Sequence, residues 1–108
     1  MTSTIRIFEP SGILNAIAGN ELRREISDIV VNNEVDILLI DMSKVTFIDS
    51  SGLGALVAAM QSVRNAKREL FICSINAQVK MLFELTKIDR VLNILSDREE
   101  FNNKVART

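Results

Sequence analysis

The sequence predicts an α/β domain, and three observations carry that prediction. Segments of strand-like composition alternate with segments of helical period along most of the chain. Val35–Asp36–Ile37–Leu38–Leu39–Ile40 is a nearly unbroken apolar run, the pattern of a central parallel strand covered on both faces. The length of 108 residues, 47% apolar and 25% charged, predicts one globular domain over 1–108 with a substantial core.

Composition narrows the chemistry. A net charge of -1 and a pI near 5.4 argue against a nucleic-acid or membrane-surface partner. No apolar run approaches a bilayer span, and the N-terminus lacks the layout of a signal peptide. The single cysteine, Cys73, has no internal disulfide partner, which predicts a reducing cytoplasm. There is no histidine, so the commonest general base and the commonest metal ligand are both missing.

Taken in order, Thr4–Ile5–Arg6–Ile7–Phe8 reads as a strand stopped by Pro10, the only proline. Ser11–Gly12 is turn chemistry, and Ile13, Leu14, Ala16 and Ile17 predict a second strand beside the first. Gly19 punctuates, Asn20 is placed to cap, and Leu22, Ile26, Ile29 and Val30 give a helix over 21–31. Asn32–Asn33 is a polar break before the central strand, which Asp41 ends. After the stretch 45–54, Leu53, Leu56, Val57, Met60 and Val63 recur at helical spacing, predicting a helix over 51–65. Leu70–Phe71–Ile72–Cys73 is another buried strand, with Cys73 a small core residue. Asn76 caps a helix whose inner face is Val79, Leu82, Phe83 and Thr86. A short strand over 91–95 follows, and Ser96 with Glu99 matches a capping box for a last helix with Phe101 and Val105 inward. The final Ala106–Arg107–Thr108 is expected to fray.

The most informative stretch is Val45–Thr46–Phe47–Ile48–Asp49–Ser50–Ser51–Gly52–Leu53–Gly54. A strand-like approach ends at Asp49, hydroxyls follow, and glycines open a helix. Asp49 and Ser50 are both residue types that cap a helix by accepting bonds from its first amides. Enzyme constellations fail one by one. Gly52–Leu53–Gly54 lacks the third glycine and the lysine of a phosphate cradle. A nucleophilic Ser50 would have only Lys44 or a carboxylate as its base, and Asp41 with Asp49 would make at best a sparse oxygen site for Mg²⁺. We therefore expect no catalysis, no metal and no cofactor.

A phosphate on Ser50 would sit beside the helix's first amides and dipole, so the fold should tolerate it. A partner docked over that end would have to desolvate a dianion. Modification would then change binding and spare the fold. Opposite the apolar face, Gly54, Ala55, Ala58 and Ser62 are small, which suits close approach by another chain. The same residues also fit a plain helix, because alanine is the best helix former.

At these residues the chain resembles the STAS domains, specifically the bacterial anti-sigma factor antagonists of the sporulation and general-stress type. The resemblance lies in the stretch 45–54, in Ile37–Leu38–Leu39–Ile40–Asp41–Met42–Ser43 before it, and in Leu70–Phe71–Ile72–Cys73–Ser74–Ile75–Asn76, Val79–Lys80–Met81–Leu82–Phe83 and Leu85–Thr86–Lys87–Ile88–Asp89–Arg90–Val91 after it. It implies a single STAS domain with a four- to five-stranded, mostly parallel mixed sheet, about four helices, and an antiparallel edge strand from the first two segments.

It further implies that the unphosphorylated chain binds an anti-sigma factor, itself an ATP-dependent serine kinase, and so frees a sigma factor. The kinase would phosphorylate Ser50 (alternatively Ser51), and a metal-dependent serine phosphatase would restore binding. Asp49, Ser50, Ser51, Gly52, Gly54, Ala55 and Ala58 would form the partner-binding surface, with Gly52 keeping the approach open. The alternative within the family is a STAS scaffold or regulatory subunit that is not phosphorylated, in a stress-sensing assembly or on a transporter. The chain departs from the family pattern in two places. Gly12–Ile13–Leu14–Asn15 has no acid where many relatives carry Asp, and Ala66–Lys67–Arg68–Glu69 has no glycine.

Overall fold

The computed structural model describes residues 4–32 and 35–105, so Asn33 of the polar break and the terminal 106–108 lie outside the described residues. The elements in order are β1 (Ile5–Phe8), β2 (Ser11–Leu14), α1 (Ala16–Val31), β3 (Ile37–Asp41), β4 (Lys44–Ile48), α2 (Ser50–Asn65), β5 (Glu69–Cys73), α3 (Ala77–Leu85), a 3₁₀ turn (Ile88–Arg90), β6 (Asn93–Leu95) and α4 (Arg98–Val105).

Four strands form a sheet in the order β1-β3-β5-β6, and β2 pairs with β4 in a second ladder. Every pairing among the described residues is parallel, with Ile5 opposite Ile37, Ile37 opposite Glu69 and Phe71 opposite Asn93. The antiparallel edge strand expected from the first two segments is therefore not found among the described residues. β2 does not lie beside β1. The breaks at Glu9–Pro10 and Met42–Ser43 fall at the same level, between the pairs Phe8–Ile40 and Ser11–Lys44. Both strands bend there together, and β2 keeps its place next to the continuation of β3.

Strand periodicity then sorts the core into two layers. Leu38, Ile40, Leu70 and Ile72 pack against Leu22 and Ile26 of α1, Leu53, Leu56, Met60 and Val63 of α2, and Val79 and Phe83 of α3. Ile37, Leu39, Phe71, Cys73 and Leu95 face Phe101 of α4 on the other side. The Phe71 and Phe101 rings meet edge to face, with centroids 5.7 Å apart. The buried position predicted for Cys73 holds, and burial pushes its thiol pKa up.

Two helix starts differ from the sequence reading. The cap of α1 is Asn15, whose Oδ1 accepts from the Ala18 amide at 3.1 Å, and Asn20 lies within the helix. Gly19 is not punctuation either. A β-carbon added there would sit 2.9 Å from the Ala55 side chain, so Gly19 permits close packing of α1 on α2. At α4 the box is shifted by one position. The Glu100 amide donates to Asp97 Oδ1 at 2.9 Å, and the Ser96 amide donates to Glu100 Oε1 at 2.6 Å. The last strand also begins at Asn93, two residues later than predicted, because Val91 closes the preceding turn on Ile88.

Asp41, the buried acid at the end of β3, pins the bend. Its Oδ1 accepts from the Ser43 amide at 3.0 Å and its Oδ2 from Arg98 Nε at 3.1 Å, while Arg98 Nη2 also reaches Glu9 at 3.4 Å. Burial alone would raise the Asp41 pKa. Its bonds from Ser43 and Arg98 outweigh that, and the net shift is below the usual aspartate value. A carboxyl that is the stronger acid when folded stabilises fully above its unfolded pKa of about 3.9 and loses that contribution as pH falls through the lower folded value. We expect Asp41→Asn to cost about 1 kcal/mol at neutral pH, since half-open Arg98 is partly screened. Urea midpoints taken downward from neutral pH should fall less steeply below about pH 4 in the variant than in the wild type.

Candidate functional site

β4 delivers the chain to the start of α2. Asp49 is extended, with φ -101° and ψ -179°, and its Oδ1 accepts from the Gly52 amide at 2.8 Å. Its backbone oxygen accepts from Leu53 N at 2.9 Å, and its own amide donates to Leu14 O at 3.3 Å. Of the two candidate caps, the structure selects Asp49. Ser50 is the first helical residue, and both Ser50 and Ser51 are exposed. The Ser50 hydroxyl is thus outside the capping role and at the surface, beside the orphan amides of a sixteen-residue helix.

The predicted small-residue surface divides. Gly52 is buried, and a β-carbon there would fall inside the radius of the Leu14 carbonyl oxygen. Gly52 therefore lets α2 start against the backbone of β2. It does not hold an external approach open. Ala55 is buried as well, 7% exposed, because α1 covers that side of α2 at Gly19. Ala58 is half-buried. Gly54 is exposed, with open space where its side chain would be. What remains at the surface is Ser50, Ser51 and Gly54, with Ala58 at the margin.

Beside it lie apolar residues that the periodicity did not single out. Ile13 and Phe47 are opposite one another in the β2–β4 ladder and are 57% and 46% exposed. Ile17, in the first turn of α1, is 73% exposed. Cross-strand neighbours of this kind give a hydrophobic surface next to a polar helix start, the composition of a protein contact. The strand alternation that buries Val45 and Ile48 leaves Phe47 outward only because the ladder shifts register between Gly12 and Ile13. A residue pattern alone does not announce such a shift.

The outer edge of β4 is held by side chains of α3. Gln78 Oε1 accepts from the Ile48 amide at 2.9 Å, and its Nε2 donates to the Ile48 carbonyl at 2.9 Å. Asn76 caps α3 through Val79 N at 2.9 Å, as predicted, and its Nδ2 also donates to the carbonyls of Val45 at 3.2 Å and Thr46 at 3.1 Å. Sequence reasoning found the cap and missed this second role. Its partner is backbone some thirty residues away, which leaves no local signal.

The enzyme constellations do not assemble. About 13 Å of extended strand separates Lys44 from Ile48 before the chain reaches Ser50, so no Ser–Lys pair forms. Asp41 is engaged by Arg98 and Asp49 by the Gly52 amide. Among the described residues no group of three or more His, Cys, Asp or Glu is placed to hold a metal, and no helix is long and apolar enough to cross a membrane.

The described residues thus form a parallel α/β domain with an exposed serine at the start of a helix whose inner face is buried. Its family follows from comparison. The STAS domain model matches residues 1–101, and the chain belongs to the STAS domain family. An anti-sigma-B factor antagonist of Listeria monocytogenes is 33% identical over 70 residues, a stretch covering 65% of this chain and 61% of that protein. The anti-sigma factor antagonist SpoIIAA in its unphosphorylated form superposes with a TM-score of 0.74 at 18% identity, over 99% of this chain and 94% of that one. The STAS domain of a SulP transporter from Vibrio cholerae gives 0.76 at 18% identity, over 93% and 79%. At those identities the structural likenesses establish the fold.

The two glycines of the site give opposed predictions. Gly52→Ala should destabilise by about 3 kcal/mol or prevent folding, because backbone oxygen cannot yield. Gly54→Ala should stabilise by about 0.5–1 kcal/mol, as an open helical glycine replaced by the best helix former. Denaturant unfolding of both variants measures the contrast.

Proposed function

We propose that this chain is a cytoplasmic anti-sigma factor antagonist whose binding is switched off by phosphorylation of Ser50. The observation that carries the reading is the exposed Ser50 hydroxyl at the first position of α2, with Asp49 already occupying the cap. The names of relatives such as the Listeria protein support the class of partner. In the unphosphorylated state an anti-sigma factor covers the end of α2, contacting Ser50, Ser51, Gly54, the edge of Ala58, and the apolar Ile13–Phe47 pair. That partner is an ATP-dependent serine kinase. Its occupation by this chain frees a sigma factor, and a metal-dependent serine phosphatase reverses the modification. The chain itself performs no catalysis.

The energetics run in the required direction. Phosphate adds close to two negative charges beside amides and a helix dipole that favour them, a gain of about 0.3–1 kcal/mol opposed by neighbouring Asp49. The fold is retained. For a docked partner the same dianion must be stripped of water at a surface otherwise made of small and apolar groups, which costs several kcal/mol. Ser51 is the alternative acceptor, exposed one position further into the helix. The likeness to a transporter's STAS domain extends to the fold alone and gives the scaffold reading no separate support.

The test is capture of partners from an ATP-depleted extract of the native host by wild type, Ser50→Ala and Ser50→Asp chains, followed by addition of ATP, with mass spectrometry as the readout. We expect Ser50→Ala to retain a serine kinase throughout, the wild type to retain it before ATP is added and to release it as phosphate appears on Ser50, and Ser50→Asp to lose it by at least about tenfold. Equal capture by all three, or no phosphate on Ser50 or Ser51, defeats the proposal. Melting temperatures of the three chains should agree within a few degrees.

A further inference from the structure

We propose that Gln78, on α3, is a positioning residue for the Ser50 hydroxyl, acting through a two-pronged side-chain clamp on the Ile48 peptide; the inference rests on the reading of Ser50 as a phosphorylation site.

The geometry makes the case. Ile48 is the last residue of β4, two before Ser50, and Leu14 pairs with it on the inner side of the ladder. On the outer side no strand continues the sheet among the described residues. The Gln78 amide takes that strand's place, accepting from Ile48 N and donating to Ile48 O at 2.9 Å each. A primary amide is the side-chain equivalent of one peptide unit, so both polar groups are satisfied by a single residue. Asn76 extends the hold to Val45 and Thr46. Past Ile48, the Asp49 amide is bonded to Leu14 O at 3.3 Å and its carboxylate to Gly52 N at 2.8 Å. Ser50 thus projects from backbone held on both edges, although it is itself exposed.

A surface hydroxyl that another protein's active site must reach gains from such a hold. Transfer of a phosphoryl group needs the acceptor oxygen in line, and a displacement of about 1 Å can cost on the order of a hundredfold in rate. A purely stabilising bond pair would contribute to folding without affecting that alignment. The two roles separate experimentally. Gln78 is half-buried on a helix and alanine is an excellent helix former, so the substitution leaves α3 intact. Should Gln78→Ala unfold, Gln78→Met keeps the length and packing while removing both bonds.

Amide exchange of the full chain gives the first readout. Protection of the Ile48 and Asp49 amides should fall by about tenfold in Gln78→Ala while the β3 and β5 amides keep theirs. The second readout is phosphorylation by the serine kinase recovered with the wild type. We expect kcat to fall by about tenfold or more with KM within about twofold, since the docking surface is unaltered. Unchanged protection at Ile48 and Asp49, or an unchanged kcat, overturns the inference. If the wild type takes no phosphate, the functional reading fails by itself, and the positional claim is still decided by exchange.

Discussion

The start of α2 rests on backbone touching backbone. Gly52 brings the first turn of the helix against the carbonyl of Leu14, at a distance no other residue allows. That contact fixes where β2 ends, where α2 begins and how far Ser50 stands from the sheet. Asp49 completes it by bonding to both sides, through its amide to Leu14 and through its carboxylate to Gly52. The same requirement recurs one layer out. Gly19 of α1 lies over Gly52 and Ala55, so three small residues form the seam between the two helices. The smallness of this helix face is first a demand of packing, and only its outer remnant is available to a partner.

The layers around that seam are unequal. Three helices cover one face of the sheet, and α4 alone covers much of the other, anchored by Phe101 in the core and by Arg98 at the bend. Ile5 and Ile7 on the edge strand β1 are 42% and 36% exposed, since α4 does not extend over them. The Ser50 end and the α4 face therefore differ in construction. One is tightly fixed by close contacts and amide bonds, the other by one aromatic pair and a charged triad.

How legible was this in the residues? Elements with local signals were read well. α3 carries its cap at Asn76 and its core at Val79 and Phe83, all within one helix, and β3 and β5 are apolar runs whose character needs no partner to define it. What pairs with what was not legible. Ile13 and Leu14 look like a strand in isolation, and nothing in their alternation tells β1 from β4 as the neighbour. Glycine misled most. Gly19 reads as punctuation and Gly52 as room for a partner, yet both mark close approach of backbone inside helices. Of the candidate site, Asp49, Ser50, Ser51 and Gly54 stand at the helix start as read, while Ala55 faces inward because a second helix, invisible to the period of the first, lies on it. Gln78 was beyond reach, its partner being a peptide thirty positions upstream.

The parallel pairing of the described strands also bears on how the chain is made. Ile5 finds its neighbour at Ile37, and Ile37 finds its own at Glu69. A parallel partner can arrive only after an intervening crossover has been synthesised. Emerging from a ribosome at about 5–20 residues per second, the first strand waits on the order of seconds with its edges unpaired. Its brevity, four residues ahead of a proline, keeps that interval from becoming an opportunity for self-association.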